Sequence, residues 1–206
     1  RAVDPRQFED TMLELYVAAS HLLKGHRVIL TEEDGMPDVR VERPGRDPVH
    51  VECKRLTSTS ADRLAKVISK ANRQVRSAGE GAKGMVVIDV SNWIPLEERV
   101  GLPPEDLNSG HHPEVRRAIA AAQSALRGSK NRAVAGALIL SDSVWLLGGA
   151  TPGAQVFTES FRHSQFVAHE QVEGVTPLED PDSLRTDLYM NLSFNARPRA
   201  DPGVDR

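Results

Sequence analysis

The sequence predicts an α/β domain over residues 8–150, with a central mixed β-sheet flanked by helices and a C-terminal extension. Three observations indicate this fold class. Apolar residues recur at helical spacing in three segments, and short runs between them alternate apolar with ionisable residues, as half-exposed strands do. A continuous apolar run, GMVVIDV, is typical of a strand buried on both faces. With 39% hydrophobic and 27% charged residues among 206, the composition is that of an ordinary globular chain.

The order of the predicted elements is αβββαβ. The first helix is predicted by apolar residues at helical spacing and ends near Gly25: Phe8, Met12, Leu15, Tyr16, Ala19, Leu22 and Leu23. Three strands follow, HRVIL, PDVRVE and VHVECKRL, separated by the turn-forming stretches EEDG and RPGRDP. A helix from about Ser60 to Ala78 has its apolar residues within an arc of ~100°. The strand GMVVIDV comes next, at residues 84–90.

The second half of the chain is expected to complete the sheet. A long connection from Ser91 to Pro113 leads to a third helix, PEVRRAIAAAQSALRG, and then to two strands, VAGALILSD and SVWLLGG. In an accessory region over residues 151–194, AQVFTESFRHSQFVAHE is interpreted as a strand pair and TDLYMNLSF as a short element. Residues 195–206 have too few apolar groups to pack and are expected to form a flexible tail.

Composition and charge exclude several classes. The net charge of −3 means that any nucleic-acid-binding surface must be a local patch. Cys53 is the single cysteine, so no intrachain disulfide can form and a cytoplasmic location is expected. No apolar run has the length of a membrane span, which argues against a membrane protein. The N-terminal RAVDPRQ lacks a Met and a signal-peptide core, which favours an excised piece of a longer chain.

Strand periodicity predicts a polar cluster. Asp38 lies on the face of the second strand opposite its valines, and Glu52 and Lys54 lie on the corresponding face of the third. If the two strands pair through their turn, these three side chains converge. Two neighbouring carboxylates repel each other unless a cation lies between them, and oxygen ligands suit Mg²⁺ or Mn²⁺. The alternative is a solvated hairpin face with cross-strand ion pairs.

The motif in these strands resembles that of a known family. Pro37-Asp38, followed after 13 residues by Glu52-Cys53-Lys54, resembles the PD-(D/E)xK nucleases, which share a restriction-endonuclease-like fold. The resemblance implies that Asp38, Glu52 and the main-chain carbonyl of Cys53 bind the metal. It also implies that Lys54 orients or helps to deprotonate the attacking water and neutralises charge on the phosphate.

Members often add an acidic residue from the first helix. Glu14 is the expected metal ligand, because the interval from Glu14 to Gly25 is similar to that in Mrr-type restriction nucleases, and Glu9 is the competing candidate. Members also place a Gln on the helix after the Lys strand, and Gln74 at the edge of the apolar arc is the expected catalytic residue.

A basic face on the same helix is the expected nucleic-acid-binding surface. Its residues recur at spacings of three and four, and no acidic residue lies between Arg63 and Gly79: Arg63, Lys66, Lys70 and Arg73. Arg55, together with Lys54 and Lys83, is expected to extend this patch. The competing interpretation is the charged solvent face of an ordinary surface helix.

The resemblance implies a divalent-metal-dependent endonuclease that acts on DNA, in restriction, anti-phage defence or repair. A homodimer is plausible because cutting both strands with one site per chain needs two chains. Two alternatives stay open. One is an RNA-cleaving toxin or effector on the same fold, and the other is a non-catalytic nucleic-acid-binding module. Cleavage of purified DNA compared with RNA separates the two nucleases.

Overall fold

An open mixed sheet of six strands forms the centre of the fold. The structure is a computed structural model that describes residues 5–45, 47–100, 112–129, 133–148 and 156–168. The described strands are β1 (Arg27–Leu30), β2 (Val39–Glu42), β3 (Val49–Arg55), β4 (Lys83–Asp89), β5 (Val134–Gly148) and β6 (Val156–Ala168). The described helices are α1 (Pro5–Leu22), α2 (Ala61–Ser77), α3 (Leu96–Arg99) and α4 (Pro113–Gly128), with a 3₁₀ turn at Ser91–Trp93.

The strands lie in the sheet in their order along the chain, from β1 to β6. Strands β1, β2 and β3 are antiparallel neighbours, since only short turns connect them. The pairs β3–β4 and β4–β5 are parallel, and helices α2 and α4 lie in the crossover connections that parallel neighbours require. β5 and β6 form an antiparallel pair at the other edge of the sheet.

Helices cover both faces of the sheet. Along β4, Met85 and Val87 join the apolar cluster under α1, whereas Val86 and Ile88 join the cluster under α2 and α4. Every residue of β4 after Lys83 is buried, as the continuous apolar run predicted. The prediction of an α/β fold with a mixed sheet and flanking helices is therefore confirmed.

The C-terminal half differs from expectation in two elements. The segment predicted as two strands is one strand, β5, because its backbone pairs with β6 straight through the polar Ser141–Ser143 stretch, which has no Gly or Pro to interrupt the ladder. The segment predicted as a strand pair is likewise the single strand β6. The sheet therefore continues to Ala168, beyond the expected limit at residue 150. TDLYMNLSF and residues 195–206 lie outside the described residues.

Helix α1 has two apolar faces. Leu13, Val17 and Ala18 are buried, and Leu13 and Val17 pack against β2, β3 and β4. Most of the residues that predicted the helix instead point outward: Phe8, Met12, Leu15, Leu22 and Leu23. None of the described helices has the length and apolar character to cross a membrane.

Candidate active site

The candidate site lies where β2 and β3 diverge. Their register pairs Val39 with Val51, so the part of β3 from Glu52 onward pairs with β4 but not with β2. Asp38 stands at this point, immediately before β2. Its Oδ2 accepts a hydrogen bond of 2.7 Å from the main-chain N–H of Cys53. A side-chain carboxylate thus replaces the main-chain acceptor that a continuing β2 would provide.

Lys54 lies between the two carboxylates of the motif. Its Nζ is 3.3 Å from Asp38 Oδ2 and 2.8 Å from Glu52 Oε1. Asp38 precedes one strand and Glu52 and Lys54 alternate along the next, so the pleat directs all three to the same face. The structure therefore brings together the three side chains that the strand pattern grouped.

The Glu52 carboxylate is fully buried. Burial, and then the charge of Asp38, raise the pKa of Glu52 above its ordinary value, although Lys54 lowers it. Its Oε2 accepts no hydrogen bond from any residue that the structure describes. A buried carboxylate oxygen without a donor is costly in a folded protein, and a bound cation would remove that cost.

Lys54 is held as an ammonium. Burial alone would lower the pKa of Lys54, but the Asp38 and Glu52 charges outweigh burial and raise this pKa above its ordinary value. A protonated lysine can neutralise charge and orient water, but it cannot accept a proton. Charge neutralisation fits this state, and the expected part of Lys54 in deprotonating water stays a prediction.

The oxygen donors at the site fit a hard divalent cation. Across the described segments, no three His, Cys, Asp or Glu side chains are arranged around one metal position. Mg²⁺ does not require such a group, because it is commonly bound by one or two carboxylates and keeps several waters. The Cys53 N–H points to Asp38, and the N–H and C=O groups of one strand residue point to the same side. The Cys53 carbonyl therefore faces the same cleft as the Asp38 carboxylate.

The thiol of Cys53 takes no part in this site. Its side chain is buried in the apolar cluster under α1, and burial raises the pKa of the thiol well above its ordinary value. A neutral thiol in apolar surroundings is neither a metal ligand nor a nucleophile. Among the groups of Cys53, the main-chain carbonyl is therefore the one that can bind a cation.

Acidic residues of α1 border the cluster. Glu14 is partly buried, and burial followed by the charge of Asp38 raises its pKa. The competing Glu9 is directed elsewhere, because its Oε2 lies 3.2 Å from Arg55 Nη1. Asp10 was not predicted, yet burial raises its pKa and the charges of Lys54 and Asp38 act on it as well. Its spacing of four residues from Glu14 on one helix was the available sequence signal.

Gln74 contacts the turn before Asp38 rather than the charged cluster itself. Its Nε2 donates a hydrogen bond of 3.0 Å to the main-chain carbonyl of Met36, two residues before Asp38. The side chain is buried, and its Oε1 has no partner among the described residues. Gln74 therefore holds the entry to β2 in place from α2, and a direct catalytic role for Gln74 stays a prediction.

The predicted basic surface divides into exposed and internal residues. All four α2 residues of the predicted surface are exposed: Arg63, Lys66, Lys70 and Arg73. Lys70 is near enough to the site that its charge lowers the pKa of Glu52. Arg55 differs from these four, because its guanidinium pairs with Glu9 at 3.2 Å and approaches Asp89 at 3.9 Å. Arg55 is thus engaged in ion pairs within the chain, and its expected contact with phosphate stays a prediction.

Lys83 lies away from the charged cluster around Lys54. It is the first residue of β4 and is level with Val49, whereas Lys54 is level with Ile88. Five residues of a strand separate these levels, a distance of roughly 16 Å. Lys83 therefore lies toward the opposite end of the sheet from the candidate site.

Comparison with known proteins identified no relative of this chain. No protein-family model, no curated protein sequence and no solved structure matches the chain. The contacts among Asp38, Glu52 and Lys54 are therefore the basis for any functional proposal.

Proposed function

We propose that this chain is a divalent-metal-dependent endonuclease that hydrolyses phosphodiester bonds in DNA, on a restriction-endonuclease-like fold. The observation that carries the proposal is the position of Lys54 Nζ between Asp38 Oδ2 at 3.3 Å and Glu52 Oε1 at 2.8 Å, at the cleft where β2 leaves β3. A solvated hairpin face explains exposed ion pairs, but it does not explain a fully buried Glu52. Burying a carboxylate with an unpaired oxygen is costly, so the arrangement supports a functional site.

Each group would have a defined part in the reaction. Asp38, Glu52 and the Cys53 carbonyl would hold Mg²⁺ or Mn²⁺, with Glu14 close enough to contribute. The bound ion would supply Lewis-acid stabilisation of a phosphodiester under attack. Lys54 remains protonated, orients the attacking water and neutralises the charge that develops on the phosphate oxygens.

The reaction is a hydrolysis. The water oxygen forms a bond to phosphorus and gives up a proton to solvent, the bond from phosphorus to the leaving nucleoside oxygen breaks, and that oxygen takes up a proton from solvent. Gln74 contributes indirectly, because its hydrogen bond to Met36 keeps Asp38 at the entry to β2.

The basic face of α2 supports a nucleic-acid substrate. The positive charge of Lys70 acts on Glu52, and Lys66 lies one helical turn from Lys70 on the same exposed side of α2. A phosphate backbone along this side would pass the candidate site. RNA would meet the same charges, so an RNA-cleaving nuclease is the second candidate. The proposed activity on DNA would suit a role in restriction, anti-phage defence or repair.

Cleavage of supercoiled plasmid in the presence of Mg²⁺ or Mn²⁺ tests the proposal. We expect the native chain to nick or linearise the plasmid, and Lys54→Ala and Asp38→Asn to lose this activity. Lys83→Ala is the matched control, because it removes a lysine at the far end of the sheet, and it should cleave normally. Cleavage of RNA but not DNA would favour the second candidate.

If the native chain shows no cleavage, metal binding is tested separately. Calorimetric titration with Mn²⁺ should give heat of binding with the native chain and none with Asp38→Asn. If the native chain neither cleaves DNA or RNA nor binds Mn²⁺, the nuclease proposal fails and a non-catalytic module remains.

A further inference from the structure

The outer face of α1 carries a stripe of exposed apolar side chains. Its large members are between 44% and 61% exposed, although each is a residue that globular proteins usually bury: Phe8, Met12, Leu15, Leu22 and Leu23. We call Phe8, Met12, Leu15, Ala19, Leu22 and Leu23 the α1 stripe. Leu13 and Val17, on the opposite face of the helix, already supply the packing of α1 on the sheet. The α1 stripe is therefore not needed to pack α1 on the part of the sheet that the structure describes.

The spacing in the α1 stripe is that of a helix-pairing surface. Phe8, Met12, Leu15, Ala19 and Leu22 follow one another at intervals of four, three, four and three residues. This is the heptad spacing that keeps one seam of a helix facing a partner helix. A sequence that only needed to cover one face of a sheet would not repeat this pattern on its exposed side.

The partner that fits best is a second copy of the same helix. Acidic residues lie in its first half, where Glu9 and Asp10 are exposed. Basic residues follow its end, where Lys24 is partly exposed and Arg27 is exposed. An antiparallel pair brings each negative start beside a positive end, and it also aligns the two helix dipoles favourably.

The size of the α1 stripe sets the strength of such a pair. With about half of each large side chain exposed, the stripe presents on the order of 500 Å² of apolar surface, as interaction patches do. Two stripes together would bury on the order of 1,000 Å², the lower limit for a specific interface. The expected dimer is therefore one with a Kd in the micromolar range.

We propose that the α1 stripe is the interface of a two-fold symmetric dimer of this chain, in which two α1 helices pack antiparallel. A two-fold axis makes the same patch serve both copies, so residues near the middle of the stripe meet their own counterparts and residues at its ends meet the opposite end. Leu15 is the middle residue, and Phe8 lies opposite Leu22. The proposal does not depend on nuclease activity.

Sedimentation equilibrium of the full chain, at concentrations from about 1 μM to about 100 μM, tests the interface. We expect a monomer–dimer equilibrium for the native chain, and at least a tenfold weaker association for Leu15→Glu. Leu96→Glu is the matched control, since Leu96 on α3 is as exposed as the α1 stripe but lies outside it, and it should associate like the native chain. Circular dichroism verifies that both variants are folded.

A native chain that stays monomeric over this range would overturn the proposal. So would equal association of native chain and Leu15→Glu. If residues 169–206 cover the α1 stripe within one chain, the native protein will be monomeric and mild crosslinking will join α1 to that segment, which also overturns the proposal.

Disulfide trapping tests the orientation. With oxidised glutathione as the oxidant, Leu15→Cys should form a covalent dimer, because two copies of the middle residue face each other across the axis. Phe8→Cys mixed with Leu22→Cys should form mainly the mixed dimer. Predominant trapping of Phe8→Cys with itself would indicate parallel helices and overturn the antiparallel arrangement. Native Cys53 is buried and serves as the unreactive background.

Discussion

The Asp38 carboxylate accepts a 2.7 Å hydrogen bond from the main-chain N–H of Cys53, so a side chain from the entry to β2 completes the edge of β3. The same oxygen lies 3.3 Å from Lys54 Nζ. One atom thus supports both the strand and the charge cluster. This double use means that stability and activity can be separated by choosing the substitution.

We predict that Asp38→Ala destabilises the protein more than Asp38→Asn. Alanine leaves the Cys53 N–H without its acceptor, at a cost of about 1–3 kcal/mol, whereas asparagine retains a side-chain oxygen that can accept the bond. Urea denaturation of both variants measures this difference. Equal free energies of unfolding would show that the hydrogen bond contributes nothing. Both variants should lack cleavage, because neither carries the charge.

Divalent metal should stabilise the native chain against unfolding. A ligand that binds only the folded state at about 100 times its Kd adds about 2.7 kcal/mol. We expect Mn²⁺ to raise the melting temperature of the native chain and to leave that of Glu52→Gln unchanged, because the amide removes one charged ligand. Thermal melts with and without EDTA provide the measurement. A shift of the same size in Glu52→Gln would place the metal elsewhere.

Loss of the Gln74 amide should lower activity because the turn before Asp38 is no longer held in position. In Gln74→Glu a carboxylate replaces the N–H donor, so the hydrogen bond to the Met36 carbonyl is lost. We expect a lower kcat, a cost of at least about 1–3 kcal/mol in stability because the buried carboxylate faces a carbonyl without a donor, and unchanged DNA affinity. Plasmid cleavage and filter binding separate these quantities. Weaker DNA binding with unchanged kcat would instead make Gln74 a substrate contact.

The salt dependence of DNA binding should identify the phosphate-contacting side of α2. Lys66→Ala and Lys70→Ala should each reduce the slope of log K against log salt by about one contact. Arg76→Ala is the control, because Arg76 carries the same charge in the last turn of α2, farther from the candidate site. Fluorescence anisotropy over a salt series gives the slopes. An equal change for Arg76→Ala would indicate a general effect of net charge.

The buried His21 should make the protein less stable in mild acid. Burial, followed by the nearby His26, lowers the pKa of His21 from 6.5 to about 4. The unfolded chain therefore binds a proton more readily than the folded one between these values, and the free energy of unfolding falls as the pH drops from about 6.5 toward 4, by up to about 3 kcal/mol. Above pH 7 this group should have no effect.

Denaturation of native chain and His21→Gln at pH 7 and pH 5 tests this prediction. The glutamine does not titrate, so the drop in stability between the two pH values should become smaller. His26 contributes in the same direction, because burial and the charges of Arg43 and Lys24 lower its pKa as well. An unchanged drop in His21→Gln would assign the effect to other groups.

The sequence alone determined the parts of this protein that depend on local periodicity. The alternation of side chains along a strand has a period of two, so it placed Glu52 and Lys54 on one face without any knowledge of the sheet. Helical periodicity likewise separated the basic side of α2 from its apolar arc. The α/β class and the extents of most elements before Gly128 followed from the same patterns.

Only the tertiary structure decided how these elements meet. The choice of Glu14 over Glu9 depends on the rotation of α1 against the sheet, and the pairing of Arg55 with Glu9 depends on the same contact. The distance of Lys83 from the site depends on the parallel register of β3 and β4. Packing, register and strand order arise from contacts between residues far apart in sequence, which no local pattern encodes. The apolar spacing of the α1 stripe likewise predicted a helix. Only the packing of α1 on the sheet determined that this face of the helix points away from the sheet.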